Sequence, residues 1–364
     1  LKGDTDQNVA RPKPHLEQSD AVAPLCRPIT LTLAAFLLLG IIYLWTTPSF
    51  EAPDEYGHYA YVRYLAQEQR LPPLVVSDNE WEQGQMHQPP LYYAIGALLA
   101  GGLDGPNWEE AFPRNRYAAL GQPHASGNRN AALHPPEPTP QTRRTATALR
   151  ILRGLSLACS ALTIWLTYRL ALLLAPARPW LAWGAATALA FNPQFLFIGA
   201  SVNNDVLVTT LSAGALLLAV GVARRGAEGY ATPIALGILA GLASIAKLSG
   251  LASLALGPCA YLLHAKQAHS KGRVWPEIVR PILLFGAAAA LAGGWWYLHN
   301  LRLYGDWSGM RHYAAIFAVH KSPLPLPRAL LVALEALPSY WGVFGWMNVT
   351  APEAYYWAMR IVTA

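Results

Sequence analysis

The chain has 364 residues, 53% of them apolar and only 13% charged, with 27 Lys and Arg against 21 Asp and Glu for a net charge of +6. Soluble domains carry roughly 25% charge, so a set of soluble domains of this combined length is excluded. The 29 Gly and 29 Pro, without a three-residue period, exclude a long coiled coil and collagen alike.

Thirteen Trp and seventeen Tyr suit membrane–water interfaces. No basic cluster interleaved with aromatics points to nucleic acid. An all-α multi-pass membrane protein remains. Its mean hydropathy of +0.23 is modest for that class, so part of the chain is strongly polar.

In chain order, residues 1–27 read as a polar cytoplasmic tail. Residues 28–48 form the first transmembrane helix, with no charge between Arg27 and Glu51. This stretch is too long for a signal-peptide core and no small-residue cleavage site follows, so it reads as an anchor. Residues 49–148 form an outer loop with juxtamembrane helices, holding eleven Asp/Glu and seven Lys/Arg. Inside it, Leu91–Leu103 is apolar but too short to cross and suits a helix along the membrane surface. Asp104–Arg144 reads as loop.

Residues 149–300 hold six apolar segments: Leu149–Leu174, Pro179–Ala200, Val206–Ala223, Thr232–Lys247, Leu248–His264 and Pro281–Leu298. About seven transmembrane helices are therefore expected, counting the first. The run Thr232–His264 is long for one span and short for two. Two short helices with Lys247 near the turn are expected, the alternative being one tilted helix. Residues 301–354 form a second outer loop, weakly amphipathic over Arg328–Leu337, and residues 355–364 open a further span. Cys26, Cys159 and Cys259 form no CxxC and read as buried small hydrophobes.

With the tail inside, the short basic stretches Arg169–Arg178, Arg224–Arg225 and Lys266–Arg280 fall inside too. Both irregular regions then share the outer face, where chemistry is expected.

Five groups of residues there carry possible chemistry. In Pro53-Asp54-Glu55-Tyr-Gly-His58-Tyr-Ala-Tyr61, directly after the first span, Pro and two acids open a helix. Asp54, His58 and Tyr61 share one face of it, with Glu55 on the next. An acid here could act as general base toward an acceptor hydroxyl. Asp54, Glu55 and His58 could also hold a divalent metal ion, or the acids could simply cap the helix. His87-Gln-Pro-Pro-Leu-Tyr92-Tyr93 leads into the short apolar helix, with His87 and Tyr92 as substrate contacts or structural groups. Asn192-Pro-Gln-Phe and Asn203-Asn204-Asp205 read either as helix caps or as a polar lip. Arg63, Arg150, Arg153, Lys247 and Arg302 are basic groups at the outer face, suited to phosphate. The last group, Gly294-Trp-Trp-Tyr-Leu-His299-Asn300-Leu-Arg302-Leu-Tyr304-Gly-Asp306, marks a span leaving the membrane.

Taken in order, these motifs resemble the GT-C superfamily of membrane glycosyltransferases, among them protein O-mannosyltransferases and aminoarabinose transferases. They are most similar to a bacterial branch with a Pro-Asp-Glu-x-x-His signature. Arg153-Gly-Leu-Ser, Lys247-Leu-Ser-Gly and Tyr340-Trp-Gly-Val-Phe-Gly-Trp-Met-Asn348 extend the resemblance to the chain's end. His299-Asn300 stands where that branch often has Arg-Asn.

The resemblance implies a GT-C-like fold in a bacterial inner membrane and a polyprenyl-phosphate sugar donor, with membrane lipids as surroundings. It implies Asp54 and Glu55 as catalytic acids. Lys247, Arg153 and Arg302 are implied as phosphate ligands, with His58, His87, Tyr92, Asp205 and Asn300 as further substrate contacts. The rival expectation is a catalytically silent GT-C-like subunit of a larger membrane protein complex.

Overall fold

The computed structural model describes residues 23–74, 84–105, 107–226, 229–267, 278–316 and 325–363. The polar tail before residue 23 and part of the basic turn before Arg280 lie outside them. The described chain is overwhelmingly helical, and its two short strands form a single hairpin.

Helix α1 (Ala23–Thr46) is followed by α2 (Glu55–Glu68), α3 (Leu91–Ala100) and the single turn α4 (Trp108–Ala111). Then come α5 (Pro140–Leu174), α6 (Pro179–Ala190), α7 (Pro193–Gly199), α8 (Asp205–Arg225) and α9 (Ala231–Ala246). A 3₁₀ segment (Leu248–Ala255) leads into α10 (Leu256–Gln267). After α11 (Arg280–Ala289), a π-helical turn (Ala290–Gly294) continues into α12 (Trp295–Tyr304). The chain ends with α13 (Met310–Ile316), α14 (Leu326–Gly342), the hairpin β1 (Val343–Phe344) and β2 (Val349–Thr350), and α15 (Glu353–Thr363).

Among the described residues, five helical rods are long and apolar enough to cross a bilayer, six if the bent pair α6–α7 counts as one span. This is a membrane-embedded all-α protein. The seven apolar segments all become helical, but the fifth, α9, has only 16 residues and falls short of a span by length. As expected from Lys247, the run 232–264 breaks there: α9 ends at Ala246, Lys247 is extended (φ −157°, ψ 150°), and the 3₁₀ turn follows. The single tilted helix is excluded.

Three expectations change in detail. Helix α5 starts at Pro140 rather than Leu149, with Pro140 in its first turn and the Thr139 hydroxyl accepting from Thr142 N at 3.2 Å. At 35 residues it rises about 52 Å, some 20 Å more than a bilayer core. Its first turns extend beyond that length, toward the long irregular region before it. The segment 179–200 is not straight but bends by 64° between α6 and α7. Pro193 lacks an N–H and cannot continue the helix, and Asn192 Oδ1 restarts it by accepting from Phe195 N at 2.9 Å. Cys259 is exposed and Cys159 half-buried, so neither is the fully buried hydrophobe expected.

The helices pack closely through small residues. Gly237 and Gly241, one turn apart on α9, face α11 and the π turn. A Cβ at Gly241 would lie 2.5 Å from Ala289 O, and one at Gly293 would lie 2.3 Å from Gly241 O. Small residues allow such contact where lipid supplies no hydrophobic drive.

The end of the bundle that carries α2 and α3 is locked by a buried ion pair. Arg153, on α5, donates from Nε to Glu55 Oε1 at 2.8 Å and from one terminal nitrogen to Glu55 Oε2 at 2.6 Å. That nitrogen also donates to Pro48 O at 2.8 Å, and the other one to Leu44 O and Thr47 O at 3.1 and 2.7 Å. All five guanidinium donors are thus used. Glu55 also accepts from Phe50 N at 3.1 Å and Val202 N at 3.0 Å, so its four acceptor positions are filled too. One pair joins the end of α1, the turn into α2, α5 and the segment after α7.

The outer loop is tied down in the same way. Glu51 accepts from Ala131 N and Ala132 N at 2.8 and 3.1 Å. Asn348, beside the hairpin, donates to Arg129 O at 2.9 Å.

Two outcomes test this packing. Gly241→Val should destabilise the purified protein by about 1–3 kcal/mol through overpacking, whereas Gly286→Ala, where an added Cβ meets nothing within 4 Å, should not. Arg153→Met should cost about 3–5 kcal/mol by leaving Glu55 buried and uncompensated. The double variant Arg153→Met/Glu55→Leu should recover part of that loss. Thermal unfolding in detergent reads both.

Candidate functional site

The first residue of interest has an unusual backbone. Asp54 precedes α2 in the left-handed region (φ 57°, ψ 1°), and its side chain does not cap the helix. Asp tolerates this region better than most residues, yet such a conformation persists only where the surroundings enforce it. Here they do: Pro53 restricts the residues before it, and the Arg153 clasp fixes Glu55 just after. Pinning Glu55 inward fixes the backbone at this turn and leaves the Asp54 side chain on its exposed side.

Asp54 is exposed, and its carboxylate has no hydrogen bond or ion pair with a described residue. Protein still surrounds it on enough sides for burial to push its carboxyl above the ordinary 3.8; the Lys247 charge draws it down and that of Asp205 pushes it up. These three groups therefore lie within electrostatic reach of one another. Lys247 Nζ holds both oxygens of Asp205 at 2.7 and 2.8 Å, in a partly exposed pair.

Two imidazoles lie within electrostatic reach of Lys247. His58, buried on α2, shares a hydrogen bond at 2.8 Å between its Nδ1 and the hydroxyl of Tyr93 on α3. Burial lowers its pKa to about 3, with the charges of Lys247 and His87 adding to the shift. His87 packs its ring 4.4 Å from that of Tyr313 and is lowered to about 4, mainly by burial. Both are neutral at physiological pH.

Around His87 lie buried polar atoms with no protein partner: its own Nδ1, Asn204 Oδ1 and Asn300 Nδ2. They are neighbours. Asn204 Nδ2 reaches Gln88 Oε1 at 3.4 Å and Ala246 O at 3.0 Å. A Cβ on Gly309 would lie 3.9 Å from His87 O and 4.0 Å from Asn300 Nδ2. Buried polar atoms are normally paired, so this group suits a polar ligand or ordered water.

Among the residues singled out from sequence, the structure brings Asp54, His58, His87, Lys247 and Asp205 within electrostatic reach of one another, with Asn300 close to His87. It does not bring the others there. Glu55 and Arg153 saturate each other and nearby backbone, so neither has an atom free for catalysis or phosphate. Tyr92 is buried, its hydroxyl 2.8 Å from Ser156 Oγ, and it packs in the core. Arg302 stands exposed on the last turn of α12, without a hydrogen bond or ion pair to a described residue. Arg63 is buried and donates to Gly101 O and Gly105 O.

The metal reading of Asp54, Glu55 and His58 does not fit. Glu55 is saturated, His58 Nδ1 is engaged, and no three His, Cys, Asp or Glu among the described residues come together to hold an ion. Asn204 belongs to the expected polar lip, whereas the pairing of Tyr93 with His58 has no signal in the sequence. Tyr93 lies 35 positions from its partner His58 on another helix, and no local pattern links them.

No protein-family model, curated protein or solved structure matches the chain.

The histidines set a pH dependence for stability. Unfolded, they titrate near 6.5; folded, they resist protonation down to about 3 and 4. The unfolded state therefore binds more protons below about pH 6.5, and stability should fall as the pH drops from there toward 4. The unfolding temperature measured from pH 8 to 4 checks this, and His58→Gln should flatten the decline.

Proposed function

We propose that the protein is a membrane glycosyltransferase that moves a sugar from a polyprenyl-phosphate donor to an acceptor hydroxyl on the outer face of a bacterial inner membrane. The N-terminus would lie in the cytoplasm. The reading rests on the ordered motif resemblance to the GT-C superfamily. One geometric observation supports it: a bare carboxylate, Asp54, held in a left-handed turn beside the Lys247–Asp205 pair.

In this reading the acceptor oxygen attacks the anomeric carbon of the donor sugar. The bond from that carbon to the lipid phosphate oxygen breaks, and the acceptor's proton passes to Asp54. Its raised pKa makes it a better base than an ordinary carboxylate. Lys247 shares its ammonium between Asp205 and the phosphate, offsetting charge on the leaving group. Asp205 keeps Lys247 in place. The neutral imidazoles of His58 and His87 and the amides of Asn204 and Asn300 offer hydrogen bonds to the sugar without adding charge.

A second reading, a silent GT-C-like subunit of a membrane complex, has one observation in its favour: Glu55, Arg153 and Tyr92 of the resembling motifs are all consumed by structure.

Reconstitution in proteoliposomes with a polyprenyl-phosphate sugar separates the two. Asp54→Asn should lower turnover by about 10²–10⁴-fold, the range of general-base catalysis, with the unfolding temperature unchanged. Asp54→Gly should be equally inactive yet at least as stable, because glycine relieves the left-handed strain. The acid limb of the rate profile should lie above pH 3.8, moving up in Lys247→Met and down in Asp205→Asn. Transfer that persists in Asp54→Asn rules out the base assignment, and a wild-type protein inert toward every donor tried favours the silent subunit.

A further inference from the structure

A large cavity lies at the opposite end of the bundle. It is a groove of about 790 Å³ between the end of α5, the end of α8 and the start of α9. Asp205 and Arg225 bound α8, and 20 residues of helix separate them by about 30 Å. The groove is therefore one bilayer thickness away from Asp54 and Lys247 and belongs to neither.

Its walls have two characters. Leu172, Leu173, Leu217 and Leu218 form an apolar side, while Arg169, Arg224 and Arg225 converge on it from two helices. No acidic side chain lines it among the described residues. Arg224 donates to Leu173 O, which covers an otherwise bare carbonyl at the end of α5. The Arg169 guanidinium lies 5.1 Å over the Trp165 ring. Arg225 makes no hydrogen bond or ion pair with a described residue. On the third side, α9 begins without a side-chain cap, so its first N–H groups add positive potential toward Thr232 in the groove wall.

Exposed Trp180 and Tyr230 stand in the neighbouring starts of α6 and α9. Such residues mark the depth of lipid headgroups. The positive-inside pattern accounts for basic residues at this end of the helices. It does not account for three of them meeting in one cavity with an apolar wall and an uncapped helix start.

We propose that this groove binds one anionic phospholipid, its headgroup phosphate among Arg169, Arg224 and Arg225 and its acyl chains along the leucine wall. Charge complementarity selects an acidic lipid over a zwitterionic one. The apolar wall selects a lipid over free phosphate. The proposal does not depend on the transfer reaction.

The test uses the full chain in detergent micelles doped with phosphatidylglycerol, phosphatidylcholine or inorganic phosphate. Native mass spectrometry counts bound lipid, and thermal unfolding reads stabilisation. Phosphatidylglycerol should bind at one site per chain and raise the unfolding temperature, and the other two should not. A basic residue near an anionic lipid surface is worth about fivefold in affinity, so Arg225→Gln should weaken binding by about that factor and the triple Gln variant should abolish it. Leu218→Trp fills the groove with all charges kept and should also displace the lipid, which guards against a triple variant that fails to fold. Equal binding of phosphatidylcholine, or phosphatidylglycerol binding undiminished in Leu218→Trp and Arg225→Gln, overturns the proposal. A response to inorganic phosphate alone would show an anion site without a lipid and overturns it equally.

Discussion

The guanidinium of Arg153 and the carboxylate of Glu55 meet where almost no water reaches, and every polar atom of both is occupied. A buried ion pair seldom adds net stability, because desolvation offsets most of the attraction. What this one supplies is geometry. Three carbonyls at the end of α1 can be satisfied only if α5 stands at one height and rotation. The amides of Phe50 and Val202 then bring two distant loops to the same carboxylate. The turn that holds Asp54 is set by these constraints and not by its own propensity.

This explains how two adjacent acids come to opposite fates. Glu55 points inward and is saturated; Asp54, one residue earlier, is left bare. In the sequence they are a single Asp-Glu pair with equal claims to chemistry. Side-chain types alone cannot divide them, because the division depends on Arg153, 98 positions away. The same holds for Tyr92 and Tyr93, which lie side by side in the chain. Both rings are fully buried in one core, yet one hydroxyl meets Ser156 on α5 and the other His58 on α2.

The fold was far more legible. Runs of apolar residues long enough to cross a bilayer announce themselves, and the break at Lys247 followed from the length of the run around it. The bend at Asn192-Pro193 is visible as a cap motif, but the uninterrupted apolar run from 179 to 200 does not reveal its 64° angle. The early start of α5 is hidden because six of its first nine residues are polar, and hydropathy detects only the strongly apolar part of a helix. Contacts such as Asn348 with Arg129 join segments 219 residues apart and have no local signature.

The shortness of α9 has a mechanical consequence. Sixteen residues rise about 24 Å, roughly 6 Å less than the hydrocarbon core of a bilayer. One end of this helix leads into Lys247 and the other into the arginine groove. Its exposed residues, Ala231, Ile234, Ala235 and Ile238, all lie in its first half, while the last turn before Lys247 is buried among neighbouring helices. The shortfall is therefore met inside the protein, where extended Lys247 and the 3₁₀ segment carry the chain onward without exposing bare backbone to lipid.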